Sequence, residues 1–262
     1  MQRYFMELCF KGTEYHGWQY QPNAITIQQI AEETMERLLS IKIKLTGAGR
    51  TDTGVHASYF VVHFNTEPER LLPVEETIRK LNYMLPRDIS IFSIFPVGEK
   101  AHSRFSALSR TYKYFISRRK DPFRQETSCF IASKLDIDSM KKAAAELFNY
   151  QDFGSFCRTN TDVRTNICNI MHAGWEEKDD LLVFTIKSNR FLRNMVRAIV
   201  GTIIRVGQNK ITIEEFKKII EAQDRRKAGT SALAQGLFLT DIEYPPEVYV
   251  NKTIKQSAYF EF

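Results

Sequence analysis

The chain has 262 residues, enough to bury a large core in one or two domains, and 43% hydrophobic with 12% aromatic content excludes a disordered chain. Lys and Arg number 37 against 31 Asp and Glu, a net +6, which points to a polyanionic partner only where it is concentrated. Four scattered cysteines (Cys9, Cys129, Cys157, Cys168) without a C-x-x-C pair, no signal-peptide pattern and no run of about 18 apolar residues argue against a disulfide scaffold, a zinc knuckle, secretion and a membrane span. Free thiols in a cytoplasmic protein are expected.

Arg3 to Phe10 reads as a strand, and Lys11 to Tyr20 (K-G-T-E-Y-H-G-W-Q-Y) as a turn-rich segment whose aromatics suit either a nucleotide contact or a buried plug. Thr26 opens a helix that ends at Ser40, with Ile27, Ile30, Ala31, Thr34 and Leu38 on one face. Alternation predicts a strand over Ile41 to Leu45 and another over Tyr59 to Phe64. Between them lies L-T-G-A-G-R-T-D-T-G-V-H-A (45 to 57), in which three glycines surround Arg50 and Asp52 with little to bury. A charged pair in a loop between rigid strands is well placed for chemistry. A helix from Leu72-Pro73 to Met84 and a strand from Ile89 to Val97 complete the first half.

The second half repeats the theme. A strand is predicted over Arg110 to Arg118, a helix over Ser139 to Phe148, and a hairpin from Ile167–Trp175 and Leu181–Ser188 around E-E-K-D-D. Helices over Phe191 to Val206 and Ile213 to Ala222 and a strand over Leu237 to Ile242 follow. The pattern is α+β and suggests two similar α/β subdomains with antiparallel or mixed sheets that could meet at a central cleft. Their expected spans are 1–103, carrying the loop 47–57, and 104–262, carrying the basic helix 191–206.

From Lys100 to Lys120 there are seven Lys or Arg and no acid, and from Lys187 to Arg205 five more, again without an acid. Interleaved Phe105, Tyr112, Tyr114 and Phe191 offer rings to a base, so the clusters suit RNA; solvated basic faces are the plain alternative. Asp52 either does chemistry or caps its own loop, with Arg50, Arg193 or Arg197 as candidate partners. Asp52-Thr53-Gly54 also resembles an aspartic-protease triplet, but no second D-T-G occurs and a neighbouring guanidinium opposes a shared proton. Gly47-Ala48-Gly49 lacks the G-K-S/T of a phosphate loop, and the five histidines lack metal-ligand spacing. His56, inside the loop, suits packing or an RNA contact as well as catalysis. Tyr112 reads equally as a base-stacking ring and as half of a core aromatic pair.

Four runs in order, G-A-G-R-T-D-T-G-V-H-A (47 to 57), R-F-S-A with R-T-Y-K-Y (104 to 114), F-L-R-N-M-V-R-A-I-V-G (191 to 201) and A-G-T-S-A-L-A-Q-G-L-F-L (228 to 239), resemble the TruA family of tRNA pseudouridine synthases over nearly the whole chain. The resemblance implies a cofactor-free, metal-free homodimeric isomerase with the pseudouridine synthase fold. Its substrate would be uridine at positions 38, 39 and/or 40 of the tRNA anticodon stem-loop. It further implies Asp52 as the catalytic aspartate, Arg50 as the residue that flips or holds the target, Tyr112 stacking on the base, and Arg197 pairing with the aspartate. Arg104, Arg110, Arg118, Arg119, Arg193 and His56 are the expected tRNA contacts. Two departures are visible: Thr53 stands where many members have Ala, and Ser231-Ala232-Leu233-Ala234 replaces the more usual Thr-Ala-Pro. The alternative of another class is a non-catalytic RNA-binding or RNA-chaperone protein using the same basic cleft; a metal-free set without paired histidines disfavours an RNA hydrolase.

Overall fold

The structure is a computed structural model and describes residues 1–158 and 164–249. Five α-helices and nine β-strands are found among the described residues, besides short 3-10 turns: β1 (Gln2–Phe10), α1 (Ile27–Leu39), β2 (Thr46–Gly47), β3 (His56–Thr66), α2 (Val74–Met84), β4 (Ile89–Val97), β5 (Ser109–Ser117), β6 (Cys129–Phe130), α3 (Ile137–Glu146), β7 (Ile170–Lys178), β8 (Leu181–Ser188), α4 (Met195–Gly207), α5 (Ile213–Glu221) and β9 (Leu237–Glu243). The chain belongs to the α+β class, and its four cysteines are free. No helix among the described residues is long and apolar enough to cross a membrane.

Two compact units are present, Met1–Leu108 together with the segment from Leu239 onward, and Ser109–Phe238. The second unit is therefore inserted into the first, and 239–249 goes with the opening half, whereas the sequence reading kept 104–262 together. Residues 250–262 of that span lie outside the described residues.

In the first unit the sheet order is β4-β1-β3-β9. β1 runs antiparallel to β3 (Phe5 opposite His63) and to β4 (Phe5 opposite Phe95), so its side chains are buried on both faces. Phe5, Met6, Leu8, Phe60 and Val62 form the centre of the core. α1 begins where the Thr26 hydroxyl accepts from the Gln29 amide, and ends at Ser40, whose φ of 54° is left-handed and closes the last turn onto Glu36. α2 starts after Pro73 with Glu75 and Glu76 in its first turn and stops at Leu85, held extended before Pro86.

The second unit has β5-β8-β7 as its sheet, with Tyr112 opposite Ile186 and Trp175 opposite Phe184, and β6 pairs parallel to the end of β5. The predicted hairpin turn is present, with Asp179 at φ 52°. α3 packs on α4 and β7, and α4 is buried nearly all round. Thr212 and Glu215 cap α5 reciprocally.

Two expectations need correction. Ile41–Leu45 is not a strand although its burial alternates, with Ile43 and Leu45 inside and Lys42 and Lys44 outside. Its backbone is satisfied by α1 side chains instead: the Leu45 amide donates to Glu32 Oε1 at 2.8 Å and its carbonyl accepts from Gln28 Nε2 at 3.0 Å. Likewise α4 begins at Met195 rather than Phe191, because Asn194 is left-handed (φ 66°) and breaks a right-handed helix there. Arg193 consequently lies in the turn before the helix, and Arg197 in its first turn.

Candidate active site

In the first unit the loop from Gly47 to Val55 springs from β2, which pairs with β3 through Thr46 opposite His63 and Gly47 opposite Val62. The Ala48 amide extends that ladder to the Val61 carbonyl at 2.8 Å. Asp52 to Val55 then form a β-turn closed by the Val55 amide on the Asp52 carbonyl at 3.1 Å. Gly54 takes φ 77° at its third position, a conformation that few side-chain-bearing residues adopt without strain.

The Lys11–Tyr20 segment is the mould for this loop. The Gly54 amide donates to the Tyr15 carbonyl at 3.3 Å, and the Gly12 amide to His56 Nδ1 at 2.9 Å. The backbones touch so closely that a Cβ on Gly17 would lie 2.2 Å from the Thr51 carbonyl oxygen. Trp18, buried, fits against Gly47 and lies 4.5 Å, ring centre to ring centre, from Phe60. Tyr15 is also buried; its hydroxyl donates to Asp88 at 2.7 Å, and burial, with Asp88 beside it, pushes its pKa well up, so it stays a donor. Of the two readings of this segment, Tyr15 and Trp18 take that of the plug.

Asp52 is half-buried, and Arg50 and Thr53 are exposed. The Thr53 departure therefore adds its methyl and hydroxyl on the solvent side of the turn. His56 is a correction to the expected RNA contacts: it is fully buried and its Nδ1 is occupied by the Gly12 amide, so it fastens the mould and presents no surface to RNA.

Arg104 is exposed, with its guanidinium carbon 5.5 Å from the centre of the Phe105 ring. The turn carrying it is tied to β2. Ser103 Oγ donates to the Thr46 carbonyl at 2.7 Å, and the Ser103 amide donates to His63 Nδ1 at 3.2 Å. Burial, and then the neighbouring His102 and Arg3, push the His63 pKa down to about 4. Unfolded His63 takes up a proton below about pH 6.5, while the folded ring refuses it down to about 4. Stability contributed by neutral His63 is therefore lost as pH falls through that window, by at most about 1.4 kcal/mol per pH unit. Urea unfolding at pH 7, 6, 5 and 4 is expected to show this decline, and His63→Gln to make it shallower; equal slopes would refute the assignment.

In the second unit Tyr112 is half-buried and meets Phe191 edge to face, ring centres 5.1 Å apart. Arg197 Nε donates to the Ala232 carbonyl at 2.8 Å, while the Ala232 amide donates to the Arg197 carbonyl at 2.9 Å. The 228–236 segment thereby becomes a bracket for Arg197. Ser231 Oγ accepts from Asn194 Nδ2 at 2.7 Å and from Arg225 at 2.9 Å, and the Leu233 carbonyl accepts from the buried Tyr114 hydroxyl at 2.9 Å. These bonds pin the loop in which the sequence shows no proline. The sequence shows the Ser231 departure but gives no spacing signal for Asn194 or Arg225, and Tyr114, expected as a ring open to a base, is fully buried and holds this loop instead.

The expected basic contacts divide. Arg193 is exposed, and Arg110 is half-exposed with a bond to the Asn189 carbonyl at 3.2 Å. Arg119 is exposed and pairs with Asp180 at 3.0 Å, a contact worth little in water. Arg118 is half-exposed, and its guanidinium donates to the Ile131 carbonyl at 2.7 Å and the Ser133 carbonyl at 2.8 Å and so holds the loop beyond β5. Arg118→Ala is expected to lower stability by about 1–3 kcal/mol, in thermal or urea unfolding, by stripping two carbonyls of their donor. An unchanged melting temperature with a flattened salt dependence of RNA binding would make Arg118 an RNA contact.

Residues 9–106 and 143–245 match the family described as tRNA pseudouridine synthase, blocks that contain Arg50, Asp52, Arg193 and Arg197 but not Tyr112. The chain belongs to the tRNA pseudouridine synthase family. It is 48% identical over 252 residues, 95% of its length and 98% of the relative's, to tRNA pseudouridine synthase A of Parabacteroides distasonis. With the protein of the same name from Bacteroides fragilis it shares 50% over 250 residues, covering 95% and 99% of the two chains. The corresponding protein of a Thermoanaerobacter species is 38% identical over 93% of this chain and all of its own. Family membership makes the chain an isomerase that turns uridine in tRNA into pseudouridine.

Proposed function

We propose that the uridines isomerised are those at positions 38, 39 and/or 40 of the anticodon stem-loop, with Asp52 as nucleophile. The observation that carries the role of Asp52 is its turn: a loop with little to bury is nonetheless moulded by the Lys11–Tyr20 backbone, a cost in close packing that only a side chain needing a fixed position justifies. The family resemblance supports Tyr112 as the ring over the base, Arg197 as the partner of the aspartate, and Arg50 as the group that holds the turned-out nucleotide. Exposed Arg104, Arg119 and Arg193 and half-exposed Arg110 would contact phosphates.

The chemistry is self-contained. The N1–C1' bond breaks, the uracil turns while held, C5 bonds to C1', and the C5 proton is replaced by one on N1. Atoms and charge balance without a redox partner, a group donor or an energy source, in keeping with a cofactor-free enzyme. Asp52 would start the sequence in one of two ways: it attacks C1', uracil leaves with the bond pair, and the ester so formed breaks, freeing the carboxylate, as C5 bonds to C1'; or it draws a proton from C2' as uracil leaves with the bond pair, giving a glycal, and returns that proton to C2' as C5 bonds to C1'. Tyr112 would assist the final deprotonation of C5. The target must leave its stack, which is cheaper at a stem-loop edge than within a long duplex. A homodimer working in the cytoplasm completes the reading.

The test is to incubate the protein with unmodified tRNA transcripts and map pseudouridine at nucleotide resolution, watching also for cleavage. Conversion confined to positions 38–40 is expected; conversion elsewhere only, or strand cleavage, would refute the reading.

A further inference from the structure

Phe105 is 76% exposed although its backbone is tightly held. The amides of Arg104 and Phe105 both point at His102 Nδ1, at 3.1 and 3.3 Å, and the Ser106 amide closes the turn on the His102 carbonyl at 2.9 Å. Ser103 is buried, bonded to His63 and Thr46, and its carbonyl accepts from the buried Tyr244 hydroxyl. The His102 ring lies 4.4 Å from that of Phe105, and the Arg104 guanidinium 5.5 Å from its centre. A large apolar ring kept in water on a rigid turn, with the Arg104 guanidinium beside it, has the form of a surface built for a flat partner.

We propose that Phe105 is a stacking platform for an unpaired base of the tRNA substrate, distinct from the ring assigned to the reacting uridine. The inference rests on the tRNA reading above and adds a second base site to it. Charge complementarity favours RNA over a second copy of the chain. The segment from Lys100 to Lys120 holds seven cations and no acid, and in a two-fold interface the same patch faces itself, bringing Arg104 towards Arg104. A polyanion meets no such repulsion, and stacking on an aromatic accepts any base. The platform also shares its anchor with the candidate active site, since the Ser103 bond to Thr46 ends on β2, one residue before the loop that carries Asp52.

Phe105→Ala and Phe105→Trp test it, the first removing the ring and the second restoring one. At fixed salt the alanine variant is expected to bind unmodified tRNA about 5- to 150-fold more weakly, the range given by stacking of one base. Its dependence on salt should match the wild type, because no charge is lost, and the tryptophan variant should bind nearly as the wild type does. A stem-loop carrying 2-aminopurine at successive loop positions should show one position quenched by the wild type and not by the alanine variant. Unchanged affinity, or a fall in sedimentation mass from dimer to monomer in the alanine variant, would overturn the proposal, the latter giving the ring to a second copy. Pseudouridine mapping on the same preparations separates the two readings. If the wild type binds tRNA and quenches the probe without modifying it, the activity reading fails alone; if it modifies tRNA while Phe105→Ala binds unchanged, the platform fails alone.

Discussion

Asp52→Asn is expected to abolish pseudouridine formation, lowering the single-turnover rate by at least about 10⁴-fold, as removal of a nucleophile does elsewhere, while tRNA affinity stays nearly that of the wild type. The substitution is close to isosteric and the side chain is half-buried in a turn fixed by backbone bonds from Tyr15 and Val55, so the loop keeps its shape. What changes is the oxygen that attacks C1' or takes the C2' proton, because an amide does neither. Single-turnover assays at saturating enzyme, with binding measured separately, decide the matter. Turnover near the wild-type rate would remove Asp52 from the chemistry and leave it a loop cap. With the wild-type protein and a tRNA stem-loop whose target uridine is deuterated at C2', a primary isotope effect requires C2' deprotonation and so the glycal route.

The next largest loss is expected for Arg197→Ala, on the order of 10²- to 10³-fold in the single-turnover rate with little change in tRNA affinity, the size seen when one group that stabilises charge is taken from an active site. Two effects combine. The proposed partner of the aspartate disappears, and the Ala232 carbonyl loses its 2.8 Å donor. Arg197→Lys distinguishes them, since it retains the charge but not the Nε donor that fits the bracket. Recovery of most of the rate by lysine would make charge the dominant contribution. A lysine variant as slow as the alanine one would make orientation dominant. If Arg197→Ala turned over as the wild type does, the counter-ion role would be refuted.

Elements with a strong local signal were legible. The capped helix after Thr26, the strand Ile89–Val97 and the hairpin around Asp179 follow from capping, apolar runs and turn chemistry that act over a few residues. Failures came where a tertiary partner overrides the local pattern. Ile41–Leu45 alternates like a strand, but Gln28 and Glu32 satisfy its last residue, which no window of five residues reveals. Phe191–Asn194 has a helical apolar pattern, yet Asn194 gives its amide to Ser231 and turns left-handed. At the candidate site the residue types were readable and their burial was not. His56 has the chemistry of an RNA ligand and is buried on a backbone amide, and Arg118 holds two carbonyls besides. The glycines at 12 and 17 stand far from the catalytic loop in sequence, so their part in shaping it appears only when the backbones meet.

The interrupted first unit bears on the order in which the chain acquires its shape. Synthesis delivers β1, β3 and β4 early, but the strand that lies beside β3 in their sheet comes from Leu239 onward, after the whole inserted unit has been made. Until then the edge of β3 is covered only where β2 and Ala48 pair with Val61, Val62 and His63, and the remainder keeps unpaired amides and carbonyls, the kind of edge that pairs with the wrong chain. The Leu108 amide waits for Glu243 and the Ser103 carbonyl for Tyr244, so the turn that presents Phe105 is also completed last. Closing this sheet brings together residues more than a hundred positions apart, a large loss of chain entropy that makes the step intrinsically slow. Maturation of the unit that holds Asp52 thus waits on β9, and a ribosome-bound nascent chain carries every proposed catalytic residue before it has a finished frame to hold them.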